Sequence, residues 1–165
     1  MKRILHIGFT LVLLSTSLVA KNKPHVAAHK FGLAESWISA WNSHDPDKLT
    51  AIFTADVMYE DVPFSAVNHG SAELRKFAAS EFESVPDLRV ELANSSIQGG
   101  HGSIEWTFSG TDAGMFKTGK KFSVRGVSIV TVKNGKISRN LDYYDVATLM
   151  KQVGLLPPED SAPKN

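Results

Sequence analysis

Residues 122–145 read FSVRGVSIVTVKNGKISRNLDYYD. Asn134-Gly135 inside this run is the two-residue signature of a tight β-hairpin, because both residue types tolerate the positive φ that its turn requires. The arm before it, Phe122 to Val132, is a long strand that is apolar on both faces near Val127 to Val130. The arm after it, Ile137 to Tyr144, is the return strand. Side chains alternate across a strand, so Asn140, Asp142 and Tyr144 share one face of it. Upstream, Leu88, Val90 and Leu92 mark one strand face and Ile104, Trp106 and Phe108 another. Gly110 to Lys121 reads as a mobile loop between them and the hairpin. Downstream, Asp145 caps a last short helix over 146–153, and Gly154 sits where a C′ glycine belongs.

The N-terminal part is helical. Phe31, Ala34, Trp37, Ile38 and Trp41 form one apolar stripe and predict a helix over 27–43. Asp45-Pro46 starts a second helix, with Leu49, Ile52 and Phe53 on its inner face. Val57 to Asp61 is a short strand with Val57, Tyr59 and Asp61 on one face and Met58 and Glu60 on the other. Ser71 caps a third helix over 72–84, with Leu74, Phe77, Ala78 and Phe82 inward. Helices first and antiparallel strands afterwards define an α+β fold. Three N-terminal helices bury their stripes on one face of a curved antiparallel sheet, and the curling leaves a cone with an open mouth.

Residues 1–20 combine Lys2 and Arg3, an apolar run and the small-residue end Leu18-Val19-Ala20, and read as a secretory signal peptide cleaved near Ala20. Its removal takes Lys2 and Arg3 from the 18 basic residues and leaves 16 against 17 acids, a charge of −1. No basic excess is available to neutralise phosphates, which argues against a nucleic-acid partner. The chain has no cysteine, so it has no disulfide framework and relies on its core. A bacterial periplasmic or secreted protein fits, with no membrane association after cleavage. The expected organisation is one domain over 27–156 and a flexible Pro-rich tail over 157–165.

The ordered set of Trp37 and Trp41, Val57-Met58-Tyr59-Glu60-Asp61, His69-Gly70, the Gly110-to-Phe116 loop, Gly135-Lys136-Ile137 and Asp142-Tyr143-Tyr144-Asp145 resembles the nuclear transport factor 2-like superfamily. Within it, the chain resembles the SnoaL-like polyketide cyclase (ester cyclase) branch over residues 30–156. The resemblance implies a cone-shaped, cystatin-like α+β barrel and a homodimer formed through the outer face of the sheet, which the doubly apolar strand 122–132 suits. Two catalytic templates come with it. The ketosteroid isomerase pattern implies a general-base aspartate at Asp61; its oxyanion-donor tyrosine is replaced by Trp37, and its second donor falls at Ser128. The cyclase pattern implies a general acid/base at Asp142 for aldol ring closure. Its assisting histidine again falls at Ser128, and a loop histidine falls at Asp112. The superfamily hosts isomerases, cyclases, epoxide hydrolases, dehydratases and binding domains, so the fold does not by itself give a function.

The residues themselves add a chemical reading. Asp61 and Asp142 lie at strand ends where the cone opens, and burial beside Trp37, Tyr59 and Tyr144 would raise a carboxyl pKa toward the range useful for acid/base work. The competing reading is a carboxylate satisfied by solvent, Arg125, Arg139 or a backbone amide. Asp145 is the rival pocket acid, with helix capping as its plainer role. Trp37, Tyr59, Trp106, Ser128, Asn140 and Tyr144 are the candidate substrate-binding set, against a core role for the aromatics; Trp41 and Phe108 share that ambiguity. Trp37 and Tyr144 stand out because an indole N–H and a phenol need partners when buried. His69 reads as a helix-start residue, and His44 and His101 as solvent-exposed turn residues. Gly114 to Lys121 nearly matches a phosphate-binding loop, but a strand succeeds it where that mechanism needs a helix N-terminus. The scattered histidines show no metal-ligand spacing, and the serines show no nucleophile signature. The reading is a cofactor-free acid/base lyase, cyclase or isomerase acting on an apolar, carbonyl-bearing small molecule. The alternative is a non-catalytic ligand- or partner-binding domain of the same fold.

Overall fold

The computed structural model describes residues 32–157. The predicted leader over 1–20, the 27–31 portion of the first predicted helix and the tail beyond 157 lie outside the described residues. Helix α1 (Leu33–Asn42) and helix α2 (Pro46–Ala51) come first, then strand β1 (Phe53–Asp61), a single 3-10 turn and strand β2 (Ala66–His69). Helix α3 (Gly70–Ser84) leads into strands β3 (Arg89–Gln98), β4 (His101–Thr111), β5 (Lys121–Lys133) and β6 (Lys136–Tyr144), and helix α4 (Val146–Gln152) ends the domain. The strands form one six-stranded sheet in the order β2-β1-β6-β5-β4-β3. The architecture is the expected α+β one, with α1, α2 and α3 over one face.

Several boundaries differ from the sequence reading. Asp45 caps α2 through bonds from the backbone N–H of Asp47 and Lys48, but the helix stops at Ala51. Phe53 therefore opens β1 instead of belonging to the inner face of a helix, and it is buried in the sheet's core. Helix α3 begins at Gly70, with His69 and not Ser71 at the N-cap position. The His69 backbone N–H donates to Glu73 Oε2 at 2.7 Å, so a first-turn carboxylate satisfies the N-cap amide, and Gly70 takes φ 74°, which only glycine accepts without strain. Strand β2 has only four residues and escapes periodicity. The sheet is also not wholly antiparallel: β1 pairs parallel with β6, with Asp61 beside Asp142 and Tyr59 beside Asn140. The turn at Asn134 and Gly135 takes φ 51° and 76°, as its sequence requires.

The sheet's free edge at β3 is managed by α1. Asn42 Nδ2 donates to Val90 O at 2.7 Å, and Val90 N–H donates to Asn42 Oδ1 at 2.8 Å, so one side chain imitates a neighbouring strand. His44 is not a solvent-exposed turn residue. Its ring stacks on Phe82 with centroids 5.2 Å apart, and Nε2 meets Leu88 O at 2.8 Å. These contacts fix the helical layer against the sheet, and the core between them is built on Leu49, Phe53, Val57, Leu74, Ile104, Ile137 and Leu149, all buried. Among the described residues no helix is long and apolar enough to cross a membrane.

Candidate functional site

The concave face of the sheet gathers the polar residues into one row. Strand pairing sets Asp61 beside Asp142, Asp142 opposite Ser128, and Ser128 opposite Ile104. One step along, Tyr59 lies beside Asn140. Period-two alternation aims all of these side chains at the helices, and the aromatic residues of α1, β4 and β6 close round them. The half-open pocket has about 430 Å³ of empty space, a figure that takes in solvent at its mouth, and its wall includes Trp37, Trp41, Tyr59, Asp61, Phe77, Glu81, Trp106, Phe108, Asp142 and Tyr144.

Asp142 sits at the floor, and its carboxyl is held by three donors. Ser128 Oγ and Asn140 Nδ2 each donate to Oδ1 at 2.6 Å, and the Tyr59 hydroxyl donates to Oδ2. Trp106 Nε1 donates to Ser128 Oγ at 2.8 Å, which extends the chain to β4. Burial pushes the Asp142 pKa up, against the pull of the Ser128, Tyr59 and Asn140 bonds. The same burial, together with the negative charge of Asp142, drives the Tyr59 phenol well above its ordinary value. Ser128 and Asn140 are fully buried behind Asp142, where they orient the acid and do not form the cavity wall.

Asp61 stands differently. Tyr144 donates its hydroxyl to Oδ2 at 3.0 Å, while Oδ1 is buried with no hydrogen-bond partner. Burial lifts its pKa to about 6; the Tyr144 bond and the Phe64 backbone amide, which approaches the carboxyl without meeting hydrogen-bond geometry at Oδ1, oppose the shift, and the nearby Asp142 charge adds to it. Glu81 of α3 faces the same space. Burial, with a smaller contribution from Asp61, raises its pKa to about 7. The indole N–H groups of Trp37 and Trp41 are likewise buried and unpartnered. Trp37 stacks on Trp106 at 6.1 Å between centroids and meets Trp41 edge-on at 5.9 Å. Gly126 makes the stack possible: it lies opposite Trp106 in the ladder, and a Cβ there would overlap the Trp106 ring.

Glu81 is the functional-site candidate that sequence reasoning missed. Leu74, Phe77, Ala78 and Phe82 define the inward stripe of α3, and position 81 falls on that stripe, so a carboxylate on an otherwise apolar face is the available signal. The remaining candidates lie elsewhere. Asp145 caps α4, accepting from Thr148 N–H at 2.9 Å and Thr148 Oγ1 at 2.5 Å. His69 and His101 are exposed at the starts of α3 and β4. Asp112 organises the loop before β5, accepting from the N–H groups of Phe116 and Thr118 and from the Thr118 hydroxyl at 2.8, 2.9 and 2.7 Å. Ala113 and Gly114 N–H both donate to Ser84 O at 2.9 Å, so this loop is fastened at both ends instead of swinging free. The loop runs directly into strand β5, and no phosphate-binding helix terminus exists there. Among the described residues no group of three or more His, Cys, Asp or Glu side chains is gathered as a metal ion would need.

The family model for SnoaL-like polyketide cyclase matches residues 32–153, and the chain belongs to that family. Among curated proteins no sequence matches. Solved structures share the fold. A protein of ketosteroid isomerase-like fold from Catenulispora acidiphila, solved in complex with trimethylamine, is 24% identical with a TM-score of 0.69, covering 79% of this chain and 97% of that one. TsrD from Streptomyces laurentii is 26% identical with a TM-score of 0.67, covering 75% and 93%. An LEH-like epoxide hydrolase from M. tuberculosis is 20% identical with a TM-score of 0.61, covering 73% and 86%. The family is therefore that of SnoaL-like polyketide cyclases, and the fold is the one shared with ketosteroid isomerase-like proteins.

Proposed function

We propose that this domain is a cofactor-free proton-transfer enzyme, an isomerase, cyclase or lyase acting on an apolar small molecule that carries a carbonyl group. The observation that carries the reading is Asp61: a buried carboxyl with one unpartnered oxygen, in an aromatic cavity, with its pKa raised to about 6. A general base works best when its pKa lies near the operating pH. Asp61 Oδ1 would take a proton from the carbon next to the carbonyl, and the electron pair would move onto the carbonyl oxygen. The unpartnered N–H groups of Trp37 and Trp41 supply donors for that developing oxyanion. The enolate then recovers a proton at another carbon, which is isomerisation, or attacks a second carbonyl, which is aldol ring closure. Asp142 serves this scheme as a fixed acid that orients Tyr59 at the cavity floor.

The competing reading is a ligand-binding domain without turnover. It is favoured by the saturation of Asp142, whose carboxyl already accepts from Ser128, Asn140 and Tyr59. Deuterium exchange separates the two. Protein incubated in D2O with carbonyl-rich small-molecule extract of its host is expected to deuterate selected compounds at carbon, and Asp61→Asn is expected to lower that incorporation by about 10²-fold or more. Wild-type protein that deuterates nothing, yet retains a bound molecule in native mass spectrometry, supports the binding-only reading. The same proposal has the protein exported to the periplasm or beyond and paired with a second copy through the outer face of the sheet.

A further inference from the structure

We infer that the cavity selects a ligand bearing a positively charged nitrogen, a tertiary or quaternary ammonium group, held against the aromatic walls with Asp61 and Glu81 as its counter-charges. The inference rests on the proposed small-molecule site and amends its ligand class, adding a charged nitrogen to the otherwise apolar, carbonyl-bearing molecule. Its first ground is charge. Three carboxyl groups, Asp61, Glu81 and Asp142, face one cavity, and among the described residues no Lys, Arg or His lines it. Lys48 with Asp45, Arg75 with Asp47 and Arg89 with Glu91 form ion pairs on the exposed surface, away from these acids. Buried acids are ordinarily matched by a cation or held neutral. Here nothing in the wall supplies the cation.

The second ground is the wall itself. Trp37, Trp41, Tyr59, Trp106 and Tyr144 surround the acids, and the negative faces of such rings attract an ammonium group, most strongly where water is excluded. The third ground is the set of unpartnered atoms. Asp61 Oδ1 and the Trp37 and Trp41 N–H groups are each more than nine-tenths buried and lack partners. A ligand with an ammonium group and a carbonyl or hydroxyl oxygen would satisfy both sets. The cation would go to Asp61 and Glu81 and the oxygen to an indole N–H. Glu81 is then the residue that sets specificity, since Asp61 must also remain able to take a proton.

The test compares choline with its uncharged isostere 3,3-dimethylbutan-1-ol on the intact protein. All three tryptophans of the chain line the cavity, so intrinsic fluorescence reads occupancy directly. Choline is expected to bind at least about tenfold tighter than the neutral alcohol near pH 8. Choline keeps its charge at every pH, so any pH dependence of its affinity belongs to the protein. The titratable groups facing the site are Asp61 and Tyr59 of β1, Glu81 of α3, and Asp142 and Tyr144 of β6. The preference for choline is expected to shrink toward pH 5 as Asp61 and Glu81 take up protons. Glu81→Gln, whose circular dichroism should match the parent, is expected to weaken choline by about fivefold or more and to leave the alcohol unchanged. Equal affinity for the two probes, a preference that does not change with pH, or no response to choline at tens of millimolar overturns the inference. Loss of deuterium exchange with choline selectivity intact removes the catalytic reading alone.

Discussion

Asp61 and Glu81 give the molecule an unusual acid balance. In the unfolded chain both titrate at ordinary carboxyl values, 3.8 and 4.5; folded, they hold their protons up to about 6 and about 7. The folded state thus binds protons more tightly than the unfolded one, and stability falls as pH rises from about 4 toward 7. For Asp61, which is 8% exposed, the shift corresponds to about 2–3 kcal/mol. The half-buried Glu81 contributes less, because solvent screens it. Asp112 acts with the opposite sign. Burial opposes its ionisation, but the Phe116 and Thr118 amides and the Thr118 hydroxyl outweigh burial and hold it below the ordinary value. Its contribution is lost as pH falls below about 4. Asp61→Asn keeps an acceptor for Tyr144 and removes the titration. Its melting temperature is expected to exceed the parent's by several degrees at pH 8, by about half as much at pH 5, and to match it near pH 3. A constant offset across that range would place the strain elsewhere.

At the level of elements, legibility tracks the range of the interaction that decides each one. The alternation of Asn140, Asp142 and Tyr144, and of Tyr59 and Asp61, is a local period-two pattern, and it places all five side chains on the concave face. The Asn134-Gly135 hairpin and the Asp45 and Asp145 caps are equally local. The β1–β6 parallel pairing is not, because its partners are separated by most of the domain. The boundary at Ile52 and Phe53 is decided by burial in the sheet, which overrides helical periodicity. Ser128 can be placed opposite Asp142, but its donation to that acid and its acceptance from Trp106 depend on three strands meeting. The loop over 112–120 escapes a sequence reading because its glycines suggest mobility, whereas one buried carboxylate gathers its amides. Asp112→Ala is expected to cost about 2 kcal/mol or more and to raise hydrogen exchange at the Phe116 and Thr118 amides, measured by mass spectrometry. Unchanged exchange there would mean that the Ser84 carbonyl holds the loop without Asp112.

Viewed whole, the domain places its N-terminal helices on one face of the sheet and leaves the other uncovered. On that outer face β5 and β6 set Ile129 opposite Leu141 and Val127 opposite Tyr143. Ile129 is 41% exposed and Tyr143 43% exposed, in the middle strands of the sheet. An antiparallel sheet with one solvated face ordinarily alternates apolar inward and polar outward. The apolar outward residues of the central strands break that rule, with Ile129 and Tyr143 exposed, Val127 half-buried and Leu141 buried among them, and exposed apolar side chains grouped in this way mark an interaction surface. A second copy is the partner that the proposed homodimer places there. The full chain's formal charge of +1 sets little electrostatic repulsion against pairing. Light scattering coupled to size exclusion is expected to give twice the chain mass. Ile129→Lys sets two buried cations near the pairing axis and is expected to give a folded monomer, with melting that no longer depends on protein concentration. Because Ile129 points away from the cone, choline binding should survive the substitution. A wild-type protein that stays monomeric at about 100 µM would leave the outer face without this partner, since a stable interface of about 800 Å² per copy would hold well below that concentration.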